Sequence, residues 1–201
     1  MGIKLRNAIY FTNDLNIYKL IDKGLFNIKS YLICGDAYTR ESKIYKSYVN
    51  YFKDLEKPYN HKLSLSEDLI YRILTSLSTE SEAYIVPDFL SKLDLDKEEA
   101  LMKVLRTIST KKPVIVVNYD PDTYLKYADF VLLFENRRLK YYGKTLDIFK
   151  RDDYYLEDLN RPSNVEIVSL AKDKNINLKY TKDYQDLIKD IYKHVKKNEK
   201  Y

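Results

Sequence analysis

The 201-residue chain is poor in the residue types that build several common functional sites. Its one cysteine, Cys34, excludes an intramolecular disulfide framework and a cysteine-based zinc cluster. The two histidines, His61 and His194, lie far apart and lack the spacing of a histidine-rich metal site, so we expect no metal site. No apolar run approaches the ~20 residues of a membrane span, and the first residues lack the apolar stretch of a signal peptide. We therefore expect a soluble, cytoplasmic protein without a transmembrane segment.

Glycine is also scarce, and its few positions are informative. The chain has four glycines: Gly2, Gly24, Gly35 and Gly143. A loop that wraps phosphate groups needs several glycines, because the backbone must approach the phosphates closely. A glycine-rich phosphate loop of the usual kind is therefore excluded.

Charged residues and tyrosine, in contrast to glycine, are abundant. The net charge is +5, and tyrosine accounts for 21 residues. A basic, tyrosine-rich surface can stack on and neutralise nucleic acid, so a basic nucleic-acid-binding module is one hypothesis. However, the 35 basic residues are interleaved with 30 acidic ones, and this mixture favours a protein that does not bind nucleic acid.

Apolar runs and capping patterns predict an alternation of strands and helices. Strands are predicted over 26–34, 83–86, 113–117, 130–134 and 139–142, the last two as a hairpin turning at 135–138. Helices are predicted over 14–23, with Asn13 as the N-cap, over 39–55, with Thr39 as the N-cap, and over 183–197. Three further helices are predicted to start at the Ser64–Glu67 capping box, after Asp94 or Asp96, and at Asp120-Pro121.

The last predicted helix carries six apolar residues in helical register, which is typical of a helix docked on a core. They are Tyr184, Leu187, Ile188, Ile191, Tyr192 and Val195. The lysine-rich end of this helix is interpreted as a solvated helix terminus, with binding to anionic lipid or nucleic acid as the less favoured alternative. The pattern as a whole predicts an α/β fold with a largely parallel sheet, and Cys34 is expected to be buried at a strand end.

The segment from Ser64 to Asp94 resembles the second half of an ABC transporter ATPase. In that family a signature motif opens a helix, a buried strand follows and ends in Asp-Glu, and a Ser-Gly-Leu-Asp loop comes next. Here Ser64-Leu-Ser-Glu67 stands at the signature, Pro87-Asp88 at the Asp-Glu pair and Ser91-Lys-Leu-Asp94 at the loop, without a gap.

The resemblance continues to residue 180. Segment 114–120 is similar to the strand with the switch histidine, 127–134 to the Tyr-Ala-Asp-Arg-Val segment, and 139–149 to the closing hairpin. Segments 159–171 and 175–181 resemble the C-terminal extension of energy-coupling-factor ATPases. The resemblance implies a P-loop NTPase-like, three-layer fold over 1–150, with helices on both faces of the sheet, and a helical C-terminal extension over 151–201.

Functional positions of the family are altered in this chain. Aligned on the phosphate loop Gly-x-x-x-x-Gly-Lys-Ser/Thr, the segment from Gly35 matches only at Gly35 and Ser42, the two candidate cofactor-binding residues. Arg40 replaces the second glycine and Glu41 the lysine. A carboxylate about 4 Å from a phosphate charge costs roughly 4 kcal/mol at a surface-like dielectric.

The catalytic and signature positions depart as well. Pro87 stands at the metal-coordinating aspartate, Asp88 at the catalytic glutamate and Tyr119 at the histidine, while Leu65 and Ser66 replace the signature glycines. For Tyr119 packing is favoured over chemistry, and for Asp94 helix capping. The helical lobe that docks on the transmembrane subunit is predicted to be missing between about 43 and 63, by this alignment.

Three functions remain open. The first is a degenerate, non-hydrolytic ABC ATPase-like protein without cofactor, a structural or regulatory partner of an energy-coupling-factor ATPase subunit or transporter component. It would form a homo- or heterodimer, in the cytoplasm or, through its partner, at the inner face of the membrane. The second is an active ATPase with ATP and magnesium, Arg40 or Lys43 as the cation and Asp88 as the base. The third is the nucleic-acid-binding module.

Overall fold

The computed structural model describes residues 9–12, 28, 30–34, 64–77, 80–87, 93–136, 138–156 and 159–198. The chain divides into two compact units, Met1–Asn118 and Tyr119–Tyr201. The helices predicted over 14–23 and 39–55, and the missing lobe predicted over 43–63, lie outside the described residues. Within the described part, no helix is both long and apolar enough to cross a membrane.

Four parallel strands form the sheet of the first unit. They are β1 (Ile9–Thr12), β2 (Tyr31–Ile33), β3 (Ala83–Val86) and β4 (Val114–Val117), in the order β2-β3-β4-β1. Every residue of β1, β3 and β4 is buried, as expected for strands covered on both faces. These parallel strands, which alternate with helices along the chain, confirm the predicted α/β fold class with a mostly parallel sheet.

The sequence prediction did not include β1. Its four residues, Ile9 to Thr12, are β-branched or aromatic, a composition typical of a buried strand. The run is too short to stand out by periodicity alone, and its parallel pairing with β4 stabilises it. Conversely, β2 is shorter than the predicted strand over 26–34, because Ile28 and Ser30 lie outside it.

Two helices of the first unit begin where the sequence predicts. Helix α1 (Leu65–Ser76) has Ser64 at its N-cap with both bonds of the predicted capping box. Helix α2 (Leu95–Ser109) has Asp94 at its N-cap, although the Asp94 side chain accepts no capping hydrogen bond. The buried apolar residues of the two helices are Ile70, Ile73, Leu74, Leu101, Met102, Val104 and Leu105.

The second unit begins with a short helix and a hairpin. Helix α3 (Pro121–Leu125) follows the predicted cap Asp120, with Pro121 in its first turn. Strands β5 (Phe130–Glu135) and β6 (Arg138–Lys144) pair antiparallel, and Asn136 adopts a positive φ of 50° in the turn. Gly143 of β6 faces helix α4 (Thr145–Phe149), where an added Cβ would lie 3.2 Å from Cδ1 of Ile148.

Two longer helices complete the second unit. Helix α5 (Ser163–Asp173) is joined to α3 by Asp122, whose carboxylate accepts hydrogen bonds from the N–H and the hydroxyl of Ser163, both at 2.6 Å. Helix α6 (Tyr184–Asn198) packs Leu187 against Val168 and Leu178. A domain boundary near residue 150 stays a prediction.

The interpretation of α6 as a helix docked on a core is confirmed, but only part of its apolar face is covered. Of the six residues in register, Leu187 is buried and Ile191 is half-buried, whereas Tyr184, Ile188, Tyr192 and Val195 are exposed. A helix can present only part of a wide apolar face to one small cluster of neighbours, so the remainder stays in solvent.

Candidate functional site

The parallel register of the first unit places the ends of its strands at one edge of the sheet. Ile33 lies opposite Ile85, Val86 opposite Val116 and Thr12 opposite Val117. Because parallel strands have the same direction, the residues that follow them emerge together at this edge. The carboxyl edge is where open α/β sheets bind their ligands.

Within this edge, β1 and β4 form the best candidate for a ligand crevice. They are neighbours, and the N–H of Asn118, just after β4, donates to the carbonyl oxygen of Thr12 at 2.7 Å. Thr12 and Asn118 therefore lie side by side at the carboxyl edge of the first unit's sheet.

The predicted phosphate loop follows a different strand. Cys34 comes directly after β2, is buried as expected, and donates its backbone N–H to the carbonyl of Ile85 at 2.7 Å. Gly35, Arg40, Glu41 and Ser42 lie outside the described residues, so their assignment stays a prediction. The strand before them, β2, is the outermost of the first unit, and β3 separates it from the β1–β4 pair.

The sequence analysis missed a second segment with the spacing of a phosphate loop. Counting from Asn13, directly after β1, the pattern Gly-x-x-x-x-Gly-Lys-Ser/Thr places Lys19 at the lysine. Asn13 and Tyr18 stand at the two glycines, and Leu20 stands at the hydroxyl residue. The signal that could have revealed it is the apolar strand before it. The structure describes β1 but not the residues after Thr12.

At the end of β3, Pro87 stands at the position that the family uses for metal binding. Proline has no side-chain oxygen, and Pro87 is half-buried at the strand end. Asp88, at the catalytic glutamate position, lies outside the described residues. Among the residues that the structure does describe, no group of three His, Cys, Asp or Glu side chains is arranged to hold a metal ion.

Tyr119 follows β4, where the sequence alignment places the family's switch histidine, and the residue is 54% exposed. This exposure does not fit the interpretation of Tyr119 as a packing residue. A tyrosine offers one hydroxyl group and lacks the two ring nitrogens of a histidine.

The N-terminus of α1 is the described part of the segment that resembles the signature motif, and two side chains of this turn cap it. The N–H of Ser64 donates to Oε2 of Glu67 at 2.7 Å, and the N–H of Glu67 donates to Oγ of Ser64 at 3.3 Å. Asp68 adds a second carboxylate in the same turn. Leu65, at a family glycine position, is 66% exposed.

At the opposite, amino end of β3, one buried group has a shifted pKa. Burial raises the pKa of Tyr84 in β3, and the nearby Cys34 and Glu80 raise it further. The ammonium group of Lys112 lies 5.8 Å from the centre of the Tyr84 ring. The raised pKa keeps this phenol neutral at physiological pH.

Comparisons with known proteins agree with this architecture, although no protein-family model matches the chain. The chain is 25% identical over 146 residues to a Pyrococcus abyssi protein named as an ABC transporter ATP-binding protein, covering 71% of the chain and 52% of that protein. It is 23% identical over 141 residues to an energy-coupling factor transporter ATP-binding protein of Fusobacterium nucleatum subsp. nucleatum, covering 67% and 49%. The chain thus spans about half the length of these curated relatives.

A solved structure supports the fold independently of the sequence. CbiO1 from Clostridium perfringens, part of the ABC transporter complex CbiONQ, superposes with a TM-score of 0.52 at 14% identity. The superposition covers 83% of this chain and 84% of that one. The two curated relatives and this shared fold identify the chain as an ABC-ATPase-like protein.

Proposed function

We propose that this chain is a non-hydrolytic ABC-ATPase-like protein that acts as a structural or regulatory partner of an energy-coupling-factor-type ATPase. The proposal rests on two features. The fold resembles that of ABC ATPases, and the residues at the positions that bind nucleotide in that family are of other types. The chain's likeness to ATP-binding subunits supplies the class of partner.

The observation that carries the proposal is the capping box at the N-terminus of α1, in which Ser64 and Glu67 accept hydrogen bonds from each other's N–H groups. A helix N-terminus binds phosphate through free N–H groups and a positive end. Here Glu67 and Ser64 already occupy each other's N–H groups. A phosphate would have to displace the Glu67 carboxylate and then face it at like charge, which costs roughly 4 kcal/mol at 4 Å and a surface-like dielectric.

The two segments with phosphate-loop spacing support the same conclusion. The segment after β1 keeps only the lysine, Lys19, and the segment after β2 keeps only Gly35 and Ser42. A side chain at a glycine position holds the backbone away from the phosphates, because its Cβ occupies the space that they need. Neither segment combines close backbone approach with the cation.

Pro87 also argues against ATP hydrolysis by the family's magnesium-dependent reaction. Magnesium in nucleotide sites is held by carboxylates together with the phosphates. Proline at the strand end provides no such ligand. Without the metal, charge that develops on the leaving phosphate is not neutralised.

A titration against an intact ATPase tests the regulatory role. The purified chain is mixed with an energy-coupling-factor ATPase subunit encoded in the same genome, and phosphate release and complex mass are measured. We expect no phosphate release by the chain alone, a stable complex, and a changed hydrolysis rate of the partner. Hydrolysis by the chain alone, or a partner that neither binds nor responds, would overturn the proposal.

A matched pair of variants locates the contact. Leu65→Ser changes the exposed leucine at the first position of α1, in the signature segment that faces the other ATPase subunit in this family. Leu170→Ser changes an exposed leucine of α5 in the second unit. We expect Leu65→Ser to weaken the complex and Leu170→Ser to leave it intact; equal effects would exclude the signature end as the contact.

A further inference from the structure

Helix α6 carries a second apolar surface beside the one that anchors it. The anchoring side holds Leu187, which packs with Val168 and Leu178, and the half-buried Ile191. The neighbouring side is exposed: Tyr184 by 48%, Ile188 by 36%, Tyr192 by 64% and Val195 by 48%. These four residues are called the exposed stripe below.

The geometry of the helix makes the exposed stripe continuous. Each residue advances by about 100° around the axis, so the four residues fall within a sector of about 80°. The sector is directly next to that of Leu187 and Ile191. Two of its four residues are tyrosines, whose rings combine an apolar body with a polar tip and are favoured at membrane–water interfaces.

The charges that border the exposed stripe have one sign. On the open side, within about 60° of Tyr192, the next positions are Gln185, Lys196 and Lys189. The acidic residues of the helix, Asp186 and Asp190, lie further round, and Asp186 pairs with Lys189 at 2.9 Å. Lysines beside an apolar stripe can extend their charged ends to anionic groups while their stems cover apolar surface.

We propose that the exposed stripe and its bordering lysines dock α6 on an anionic lipid surface. In that orientation the apolar side chains enter the headgroup region while Lys189 and Lys196 meet the lipid phosphates. The inference concerns the second unit alone and does not depend on the proposed partner ATPase. It goes beyond that function by giving the chain a membrane contact of its own.

A second copy of the chain fits the exposed stripe less well. A two-fold pairing about the middle of the exposed stripe would bring Lys189 of one copy towards Lys189 of the other. Like charges at such a contact destabilise it, and no acidic residue borders the exposed stripe on its open side within α6.

Co-sedimentation with vesicles tests the proposal. The full chain is mixed with vesicles of phosphatidylcholine, with and without phosphatidylglycerol, at low and at high salt. We expect binding only to the anionic vesicles, weakened by salt. Lys189→Glu/Lys196→Glu is expected to lower the bound fraction by about tenfold or more, since each lysine near an anionic surface contributes appreciably.

Matched variants separate the apolar and charged contributions. Tyr184→Ser/Tyr192→Ser removes both rings and should abolish binding, whereas Lys172→Glu/Lys174→Glu, with the same charge change at exposed lysines of α5 and its C-cap, should leave it intact. Circular dichroism verifies the fold of each variant. No sedimentation with anionic vesicles, binding that ignores the α6 variants, or a dimer in solution that Tyr184→Ser/Tyr192→Ser dissociates would each overturn the proposal.

Discussion

Ser64 and Asp94 occupy the same position at the starts of two helices, yet only one of them caps through its side chain. The hydroxyl of Ser64 accepts from the N–H of Glu67, and the Glu67 carboxylate accepts from the N–H of Ser64. The carboxylate of Asp94 makes no capping bond and instead lies 3.2 Å from the ammonium group of Lys97. We therefore expect the two N-cap side chains to contribute differently to the free energy of unfolding.

We predict that Ser64→Ala lowers the free energy of unfolding by about 1 kcal/mol, because one N–H at the start of α1 loses its acceptor. Asp94→Ala is the matched control and should cost less than about half of that, because an exposed ion pair contributes little. Urea denaturation of the two variants measures both changes. A larger loss for Asp94→Ala would show that the capping bonds of α1 do not stabilise it.

At the scale of single elements, the start of α6 depends on one carboxylate. Asp183 precedes the helix, and Oδ1 accepts from the N–H of Gln185 at 2.8 Å. Oδ2 lies 3.3 Å from the ammonium group of Lys126. The hydrogen bond from Gln185, followed by the interaction with Lys126, lowers the pKa of Asp183 below the ordinary value, so folding favours the charged form.

The stabilisation by Asp183 should consequently depend on pH. With a folded pKa below the unfolded one, the contribution is fully present above the ordinary aspartate pKa of about 4 and is lost as the pH falls through the folded pKa. We predict that Asp183→Ala destabilises the protein at neutral pH and that the difference from the unsubstituted chain shrinks under acid. Urea titrations at several pH values measure this.

Asp183→Asn is the control for this prediction. The amide keeps an oxygen that can accept from Gln185 but carries no charge, so its capping contribution should not change with pH. A difference between Asp183→Ala and the unsubstituted chain that stays constant under acid would contradict the assigned origin of the lowered pKa.

Elements with strong local signals could be predicted from the sequence. The capping box at Ser64 and the Asp120-Pro121 pair fix helix starts through nearby side chains, and β3 and β4 are short apolar runs. Strand β1 was missed because its pairing with β4 is separated by about a hundred residues of chain, which local patterns do not contain. The exposure of α6 was missed because periodicity shows that a helix has an apolar face but not how much of it is covered.

At the scale of the whole molecule, the ABC-ATPase-like fold could be predicted from the sequence. The location of the candidate ligand crevice could not. The order of segments from Ser64 onward predicted a resemblance to ABC ATPases, and the comparisons confirm an ABC-ATPase-like protein. The choice of Gly35 as the start of the phosphate loop rested on two matching residues. Only the strand order shows that β1, rather than β2, neighbours β4.

The two segments with phosphate-loop spacing would use different cations to bind a nucleotide. Binding in the crevice at β1 and β4 would need Lys19, the residue at the lysine position after β1. Binding after β2 would need Lys43 or Arg40, the cations near Ser42. Lys19→Ala and Lys43→Ala therefore remove one cation each and serve as controls for one another.

Calorimetric titration of the purified chain with magnesium and ATP tests the loss of nucleotide chemistry most directly. We predict no saturable binding heat at millimolar nucleotide for the unsubstituted chain, because neither segment with phosphate-loop spacing combines both glycines with the phosphate-neutralising lysine. A saturable heat that Lys19→Ala abolishes and Lys43→Ala preserves would contradict that prediction and assign an active nucleotide site to the β1 edge.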